Sequence, residues 1–160
     1  PAKDAYAKKF GGSERATEIL DHVTSVAAQD NITFNMDIAV RANTFLAHRL
    51  LSYALKQHGA AAQIALKERI MDAYFTDGKN IGDIDVLADC AESAGIDRTE
   101  AHTFLSGDEL VDEVRSEIAE AAEYGVTAVP TFIINGQWSV PGAQDVEMFE
   151  RIIERILEKA

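Results

Sequence analysis

The sequence contains very little cysteine and few basic residues for its size. Only one cysteine, Cys90, occurs among 160 residues, which excludes an internal disulfide and any cysteine-rich metal site. Lys and Arg number 15 against 27 Asp and Glu, so the net charge is −12. We therefore expect no nucleic-acid partner, because no excess of positive charge is available to neutralise phosphates.

Long apolar stretches are also missing. None approaches the length of a membrane span, and the first residues, PAKDAYAKKFGG, have no apolar core of the kind found in signal peptides. We therefore expect no membrane partner. The single cysteine favours a reducing compartment, which predicts a cytoplasmic protein. The sequence begins without Met, so we expect its natural start to lie upstream.

What the chain does contain is enough apolar sequence for a real core, with 47% hydrophobic residues. Apolar residues recur at helical spacing through most of it. Ser13, Asn43 and Asp83 are the predicted N-caps, and glycines are the predicted stops. The predicted helices cover 3–10, 13–29, 43–58, a segment from about 64 to 77, 83–94, a short helix around Phe104, 108–124 and 144–159.

Two helices carry predicted inward-facing stripes. That of the helix 108–124 consists of Leu110, Val114, Ile118 and Ala121; that of the last helix consists of Val146, Phe149, Ile152, Ile153, Ile156 and Leu157. Strands are scarce. Residues 31–37, NITFNMD, alternate in polarity and predict either a short strand or an extended link. Residues 131–134 and 137–140 flank Asn135-Gly136, a strong hairpin turn.

Pro130 stands where the first hairpin strand begins. Proline has no amide N–H and cannot serve fully in a sheet ladder. It is therefore either an edge residue at the strand entrance or a fixed cis-proline turn that presents its neighbours to a ligand. The histidines show no metal-ligand spacing, so no metal site is predicted.

Six segments resemble one family in order along nearly the whole chain. They are KKFGG, ANTFLAHRLLSYA, YFTDGKNIGD, VLADCAESAGID, GVTAVPTFIING and VPGAQ. Together they resemble the DsbA family of thioredoxin-like proteins, in its FrnE-like branch of cytoplasmic thiol–disulfide oxidoreductases. The resemblance implies a mostly helical α/β fold, a partial thioredoxin-like fold of the DsbA type. Residues 1–107 would be its large helical insertion domain, and 108–160 the C-terminal half of the thioredoxin-like domain with its β-hairpin.

The chain departs from the family in one large respect. The family's first strand and the Cys-X-X-Cys motif that follows it are absent, so the resemblance implies a C-terminal portion of such an enzyme. Cys90 is no replacement, because it lies mid-helix on an apolar face beside acidic residues, which raise a thiol pKa. We expect Cys90 to be a core residue and this chain alone to be inactive.

The resemblance also implies the candidate site residues. Val129-Pro130 is expected to be a cis-proline loop that binds substrate through the backbone of Val129. Asn43, Thr44 and His48 would border the same groove. Helix capping by Asn43 and Thr44 remains an alternative, as does an ordinary surface or packed position for His48. The implied partners are protein or peptide thiol substrates, and no cofactor is expected.

Two alternative functions remain open at this point. One is a protein similar to glutathione-dependent 2-hydroxychromene-2-carboxylate isomerases, for which glutathione would be the cofactor. The other is a non-catalytic helical module that binds peptides. In either case the family's neighbouring strand is missing beside residues 131–134. We therefore expect this edge to drive homo-oligomerisation or to hold the missing N-terminal segment.

Overall fold

The computed structural model describes residues 2–158 and is mostly helical. Its helices are α1 (Ala2–Phe10), α2 (Ser13–Gln29), α3 (Phe45–His58), α4 (Ala60–Met71), α5 (Ile84–Ser93), α6 (Arg98–Ser106), α7 (Val111–Glu123) and α8 (Val146–Leu157), and a π-helical turn, Asp72–Thr76, extends α4. A small sheet pairs β1 (Thr131–Ile134) with β2 (Trp138–Pro141) in antiparallel register, Phe132 opposite Val140. The mostly helical α/β fold is thus confirmed.

The described chain divides into two compact units, one that ends at Val114 and one that begins at Arg115. This division falls inside α7. The domain limits 1–107 and 108–160 stay a prediction, since compactness alone does not define a folding domain. Among residues 2–158, none of the helices combines the length and the apolar character that a bilayer span needs.

Aspartate side chains cap the starts of α5, α6 and α8, whereas α2, α3 and α4 begin without a side-chain cap. Asp83 accepts hydrogen bonds from the amides of Asp85 and Val86, as predicted. Ser13 is not an N-cap: Gly12 takes that position and Ser13 is already the first helical residue. The reason is that Gly11 and Gly12, with φ of 84° and 147°, turn the chain straight into α2.

The start of α3 lies one to two residues later than predicted. Thr44 is its N-cap without a side-chain hydrogen bond, whereas the Asn43 Oδ1 accepts from the Phe45 amide at 3.0 Å. Asn43 therefore stabilises the turn before the helix rather than capping it. Gly59, with φ of 86°, ends α3 as predicted.

Residues 31–37 form no strand, which leaves the extended link of the two predicted alternatives. The Asn35 amide donates to the Phe75 carbonyl at 2.7 Å, and Thr76 Oγ1 donates to the Thr33 carbonyl at 2.7 Å. Phe34 stacks on Phe75 with ring centroids 4.6 Å apart. The link is thus hydrogen-bonded to the π-helical turn, which satisfies backbone groups that a strand partner would otherwise satisfy.

The predicted apolar stripes of α7 and α8 are only partly buried. Leu110 lies before α7 with φ of 60°, and Ile118 is 53% exposed, whereas Val114 is buried. On α8, Ile156 is buried, but three members of its predicted inward face are exposed: Val146, Ile153 and Leu157. Those assignments are wrong, because one helix over a two-stranded sheet covers only a narrow stripe of its surface.

The core of the first unit is built from α3 to α6. Its largest fully buried side chains include Leu50, Leu66, Leu87 and Ile96. Close approach of the backbone demands a glycine at Gly78, where an added Cβ would lie 2.7 Å from the Ile38 carbonyl oxygen. Ile38, directly after the link 31–37, thereby lies against the residues that follow the π-helical turn.

Arg49 lies inside this core with only 3% of its surface exposed. Its Nη2 donates to the carbonyls of Gly107 and Glu109 at 2.9 and 2.8 Å, and its Nε also donates to Glu109. The guanidinium lies 5.1 Å from the centroid of the Phe104 ring. Burial lowers the pKa of Arg49, and the nearby acidic side chains oppose that shift. One cation therefore joins α3 to the end of α6 and the loop that follows it.

We predict that Arg49→Met lowers the free energy of unfolding by about 3 kcal/mol, because buried carbonyls lose their donor. Urea unfolding followed by circular dichroism measures the change. Arg98→Met is the matched control. Arg98 pairs with Asp85 and Asp89 at the surface, where water screens such pairs, so only a small change is expected. Equal loss in both variants would contradict the role given to Arg49.

Candidate functional site

The loop before β1 is held by hydrogen bonds on both sides of Val129. Thr131 Oγ1 donates to the Ala128 carbonyl at 2.7 Å. The Gly142 amide donates to the Pro130 carbonyl at 2.8 Å, which φ of 81° at Gly142 allows. The Val129–Pro130 peptide bond is cis. The sequence alone missed Thr131 as a loop-fixing residue, although a threonine three residues after a carbonyl is a recurrent local donor.

Val129, between these two hydrogen bonds, is exposed and its backbone groups are free to bind. Its side chain is 88% exposed. Within the part of the chain that the structure describes, neither its N–H nor its C=O forms a hydrogen bond. Ala128 and Pro130 have their carbonyls occupied, and Pro130 has no N–H. Val129 can therefore donate and accept at once, as an extended peptide lying antiparallel to it requires.

Asn43, Thr44 and His48 are exposed residues at the start of α3. The Thr44 carbonyl accepts from the His48 amide at 3.0 Å, so both lie on one turn of backbone. These three residues belong to the first unit, whereas Val129 and Pro130 belong to the second. A groove shared by the two groups therefore stays a prediction.

Cys90 is buried, as predicted, with 7% of its surface exposed. Its Sγ donates to the Arg69 carbonyl at 3.7 Å. Burial is the main cause that raises its pKa, and Asp89 adds to it, although Lys79 opposes the shift. A nucleophilic cysteine needs the reverse, a lowered pKa and access to substrate. Cys90 is therefore a core residue.

The other ionisable cluster of the first unit joins α3 to α6. The Tyr53 hydroxyl donates to Glu100 Oε1 at 2.8 Å, and His58 Nε2 lies 2.7 Å from the same oxygen. Burial first, then the bond to Glu100, raises the pKa of Tyr53 to about 12. The hydrogen bonds from Tyr53 and His58 lower the pKa of Glu100. Tyr53 also stacks on Phe104, with ring centroids 4.2 Å apart, so this cluster holds the two helices together.

No metal centre can be assigned from residues 2–158, in which no three His, Cys, Asp or Glu side chains are grouped to hold an ion. Two histidines have polar neighbours instead: His58 lies beside Glu100, as described above. His102 Nε2 lies 3.9 Å from Asp85, and Ser106 Oγ lies 3.4 Å from His102 Nδ1.

Comparisons with known proteins show which family and fold the chain resembles. A family model described as "DSBA-like thioredoxin domain" matches residues 3–154. The crystal structure of a probable DsbA oxidoreductase from Streptomyces coelicolor superposes with a TM-score of 0.86 at 28% identity, covering all of this chain and 68% of that one. The uncharacterised protein YwbO of Bacillus subtilis is 40% identical over 86 residues. That alignment covers 53% of this chain and 42% of YwbO, so the chain matches less than half of this curated relative.

We predict that the chain alone shows no turnover in an insulin-reduction assay, because one buried thiol cannot complete a two-thiol cycle. Cys90 should also react slowly with Ellman's reagent in the native protein and rapidly once guanidinium has unfolded it. Turnover that survives in Cys90→Ser would mean that the chemistry lies elsewhere in the chain. Turnover that disappears in this variant, or a fast native thiol reaction, would contradict the burial of Cys90.

Proposed function

Because the chain belongs to the family of DSBA-like thioredoxin domains, we propose that it supplies the substrate loop of a FrnE-like thiol–disulfide oxidoreductase. In this proposal the 160 residues are a C-terminal portion of the enzyme, and the thiols that exchange with substrate lie outside them. The substrates are cysteine-containing proteins or peptides. No bound cofactor is needed, since electrons pass directly between thiols and disulfides. A cytoplasmic location belongs to the same proposal.

The observation that carries the proposal is the open backbone of Val129. A substrate peptide can pair with its N–H and C=O in the manner of an added strand. The hydrogen bonds from Thr131 and Gly142 hold the residues on either side, so little order has to be gained on binding. His48, Asn43 and Thr44 are proposed as further residues of the substrate groove.

A non-catalytic peptide-binding function is the second candidate. The burial of Cys90 favours it, because the single thiol of this chain faces the core. Both candidates use the Val129 loop and therefore share the peptide-binding test below. They differ in activity. The first candidate predicts that the protein purified from its natural source reduces or forms disulfides, and the second predicts that it does not.

We predict that an unfolded peptide without free thiols, the reduced and alkylated B chain of insulin, shifts the amide resonances of Val129 and Thr131 most in a ¹⁵N-labelled sample. Val129→Pro should abolish these shifts because it removes the N–H donor. The matched control is Val146→Pro, since Val146 is also exposed and is the first residue of α8, where proline is tolerated.

Thermal unfolding of both variants checks that each remains folded. If Val129→Pro proves unstable, the shifts mapped on the unchanged chain decide the question by themselves. Shifts centred away from residues 128–131, or equal loss of binding in both proline variants, would contradict the proposed loop.

The second part of the proposal concerns the free edge of β1. Among residues 2–158, β1 pairs with β2 alone. Its four residues, Thr131–Ile134, are apolar apart from Thr131 and include no lysine or bulge, the devices that discourage edge pairing. Phe132 is 40% exposed beside Phe149. We propose that a second copy of the chain pairs with this edge.

Light scattering after size exclusion should therefore give a mass above 17.5 kDa that rises with protein concentration. Phe132→Lys should shift the protein toward monomer, because a charge on the edge strand opposes pairing. Ser139→Lys, an exposed position on β2, is the control and should leave the mass unchanged. A monomer at all micromolar concentrations, or equal effects of the two lysines, would contradict association through β1.

A further inference from the structure

A cleft of about 480 Å³ opens beside α1 in the first unit. Three cationic side chains line it, Lys8, Lys9 and Arg41, together with Tyr6, Tyr74 and three alanines. None of the lining residues is acidic. This is unexpected in a chain whose net charge is −12. A concave site lined by one sign of charge concentrates the field and attracts ions of the opposite sign.

The three cations have no acidic partner among residues 2–158. Five other basic residues form ion pairs with Asp or Glu: Lys3, Lys56, Arg69, Lys79 and Arg98. Within the described ranges, Lys8, Lys9 and Arg41 form none, and Lys9 lies 5.6 Å from the centroid of the Phe10 ring. Their charge is therefore available to a ligand.

The helix dipole explains only part of this arrangement. Lys8 and Lys9 lie in the last turn of α1, where cations favourably offset the negative helix end. Arg41 lies outside any helix, in the segment before α3. Neither the dipole nor an ion pair accounts for its position in the cleft, so the convergence of Arg41 with the two lysines calls for another cause.

The cleft is preorganised because α1 is attached to the segment that carries Arg41. The Ala2 amide donates to the Ala39 carbonyl at 2.9 Å, and Lys3 pairs with Asp37 at 3.4 Å. Ala2 and Ala39 are buried in one small core cluster with Leu20 and Met36, and Tyr6 packs against that cluster. The backbone positions of the two lysines and Arg41 are thus fixed relative to one another before any ligand arrives.

The other residues that line the cleft are apolar or aromatic. Tyr6 and Tyr74 are half-buried. Burial first, then the neighbouring Tyr6 hydroxyl, raises the pKa of Tyr74 to about 12, so its hydroxyl stays neutral near pH 7. The small alanine side chains leave room for a ligand body beside the rings. An apolar wall with a few convergent polar groups is the usual composition of a small-molecule site.

We propose that this cleft binds a small organic oxyanion, a carboxylate or a phosphate with an aromatic or apolar body. The oxyanion contacts Arg41 and the lysines, and the body lies against Tyr6 and Tyr74. Arg41 can offer two parallel N–H donors to such a group, which a lysine cannot. This proposal does not rest on thiol–disulfide exchange or on peptide binding at Val129.

The test uses the whole chain, ¹⁵N-labelled, at constant ionic strength. The two ligands tested are the organic anions phenyl phosphate and phenylacetate. Two controls accompany them: inorganic phosphate, which lacks the aromatic group, and benzyl alcohol, which lacks the negative charge. We expect saturable shifts at Tyr6, Lys9 and Ala42 with both organic anions, weaker binding of inorganic phosphate, and none of benzyl alcohol. Arg41→Gln and Lys9→Gln should each weaken binding about fivefold, the effect of losing a partly solvated charge contact.

Lys67→Gln is the matched control, because Lys67 is exposed on α4 and does not line the cleft. It should leave the affinity unchanged. Equal weakening in Lys67→Gln would show nonspecific charge attraction and overturn the proposal. So would shifts that are absent at millimolar concentration or that map outside the cleft. Because Arg41 and Lys9 lie on different elements, a folding defect in one variant leaves the other to decide.

Discussion

The buried guanidinium of Arg49 is the interaction on which the first unit depends most. Taking a cation out of water costs several kcal/mol unless donors and acceptors inside the protein replace the lost water. Here the carbonyls of Gly107 and Glu109 replace it, just beyond the last residue of α6. The cation and the helix end therefore satisfy each other. That mutual satisfaction sets the direction of α3, and with it the positions of Asn43, Thr44 and His48 at its N-terminal end.

The second unit depends on a different constraint, the hydrogen bonding of the backbone around β1. A two-stranded hairpin covered by one helix buries little surface, and its exposed apolar residues on α8 reflect this. Its hydrogen bonds nevertheless leave Val129 free at one definite place while its neighbours are occupied. The free N–H and C=O of Val129, on a loop fixed by hydrogen bonds, can bind a peptide without any charged or nucleophilic side chain. This fits a chain of a thiol-exchange family whose single cysteine lies in the core.

Much of the fold and part of the site could be predicted from local patterns. The cap at Asp83, the stop at Gly59, the hairpin around Asn135-Gly136 and the burial of Cys90 all follow from neighbouring residues, so the sequence sufficed for them. The outward faces of Val146, Ile153 and Leu157 could not be predicted, because helical periodicity says which residues share a face and not whether anything covers it. The burial of Arg49 could not be predicted either, because the carbonyls that accept its hydrogen bonds are 55 to 60 positions away in the chain.

By itself, then, the sequence determined the helical class, the positions of most elements, the acidic charge and the family, because each follows from residue type and short spacing. The tertiary structure alone decided which polar groups are satisfied. It brought the Gly142 amide to the Pro130 carbonyl, next to the unbonded backbone of Val129, and it placed Arg41 in one cleft with Lys8 and Lys9 by pairing Ala2 with Ala39. These contacts join residues 12 to 37 positions apart, and no local propensity specifies such a distance, because only the packing of the whole unit closes the loop between them.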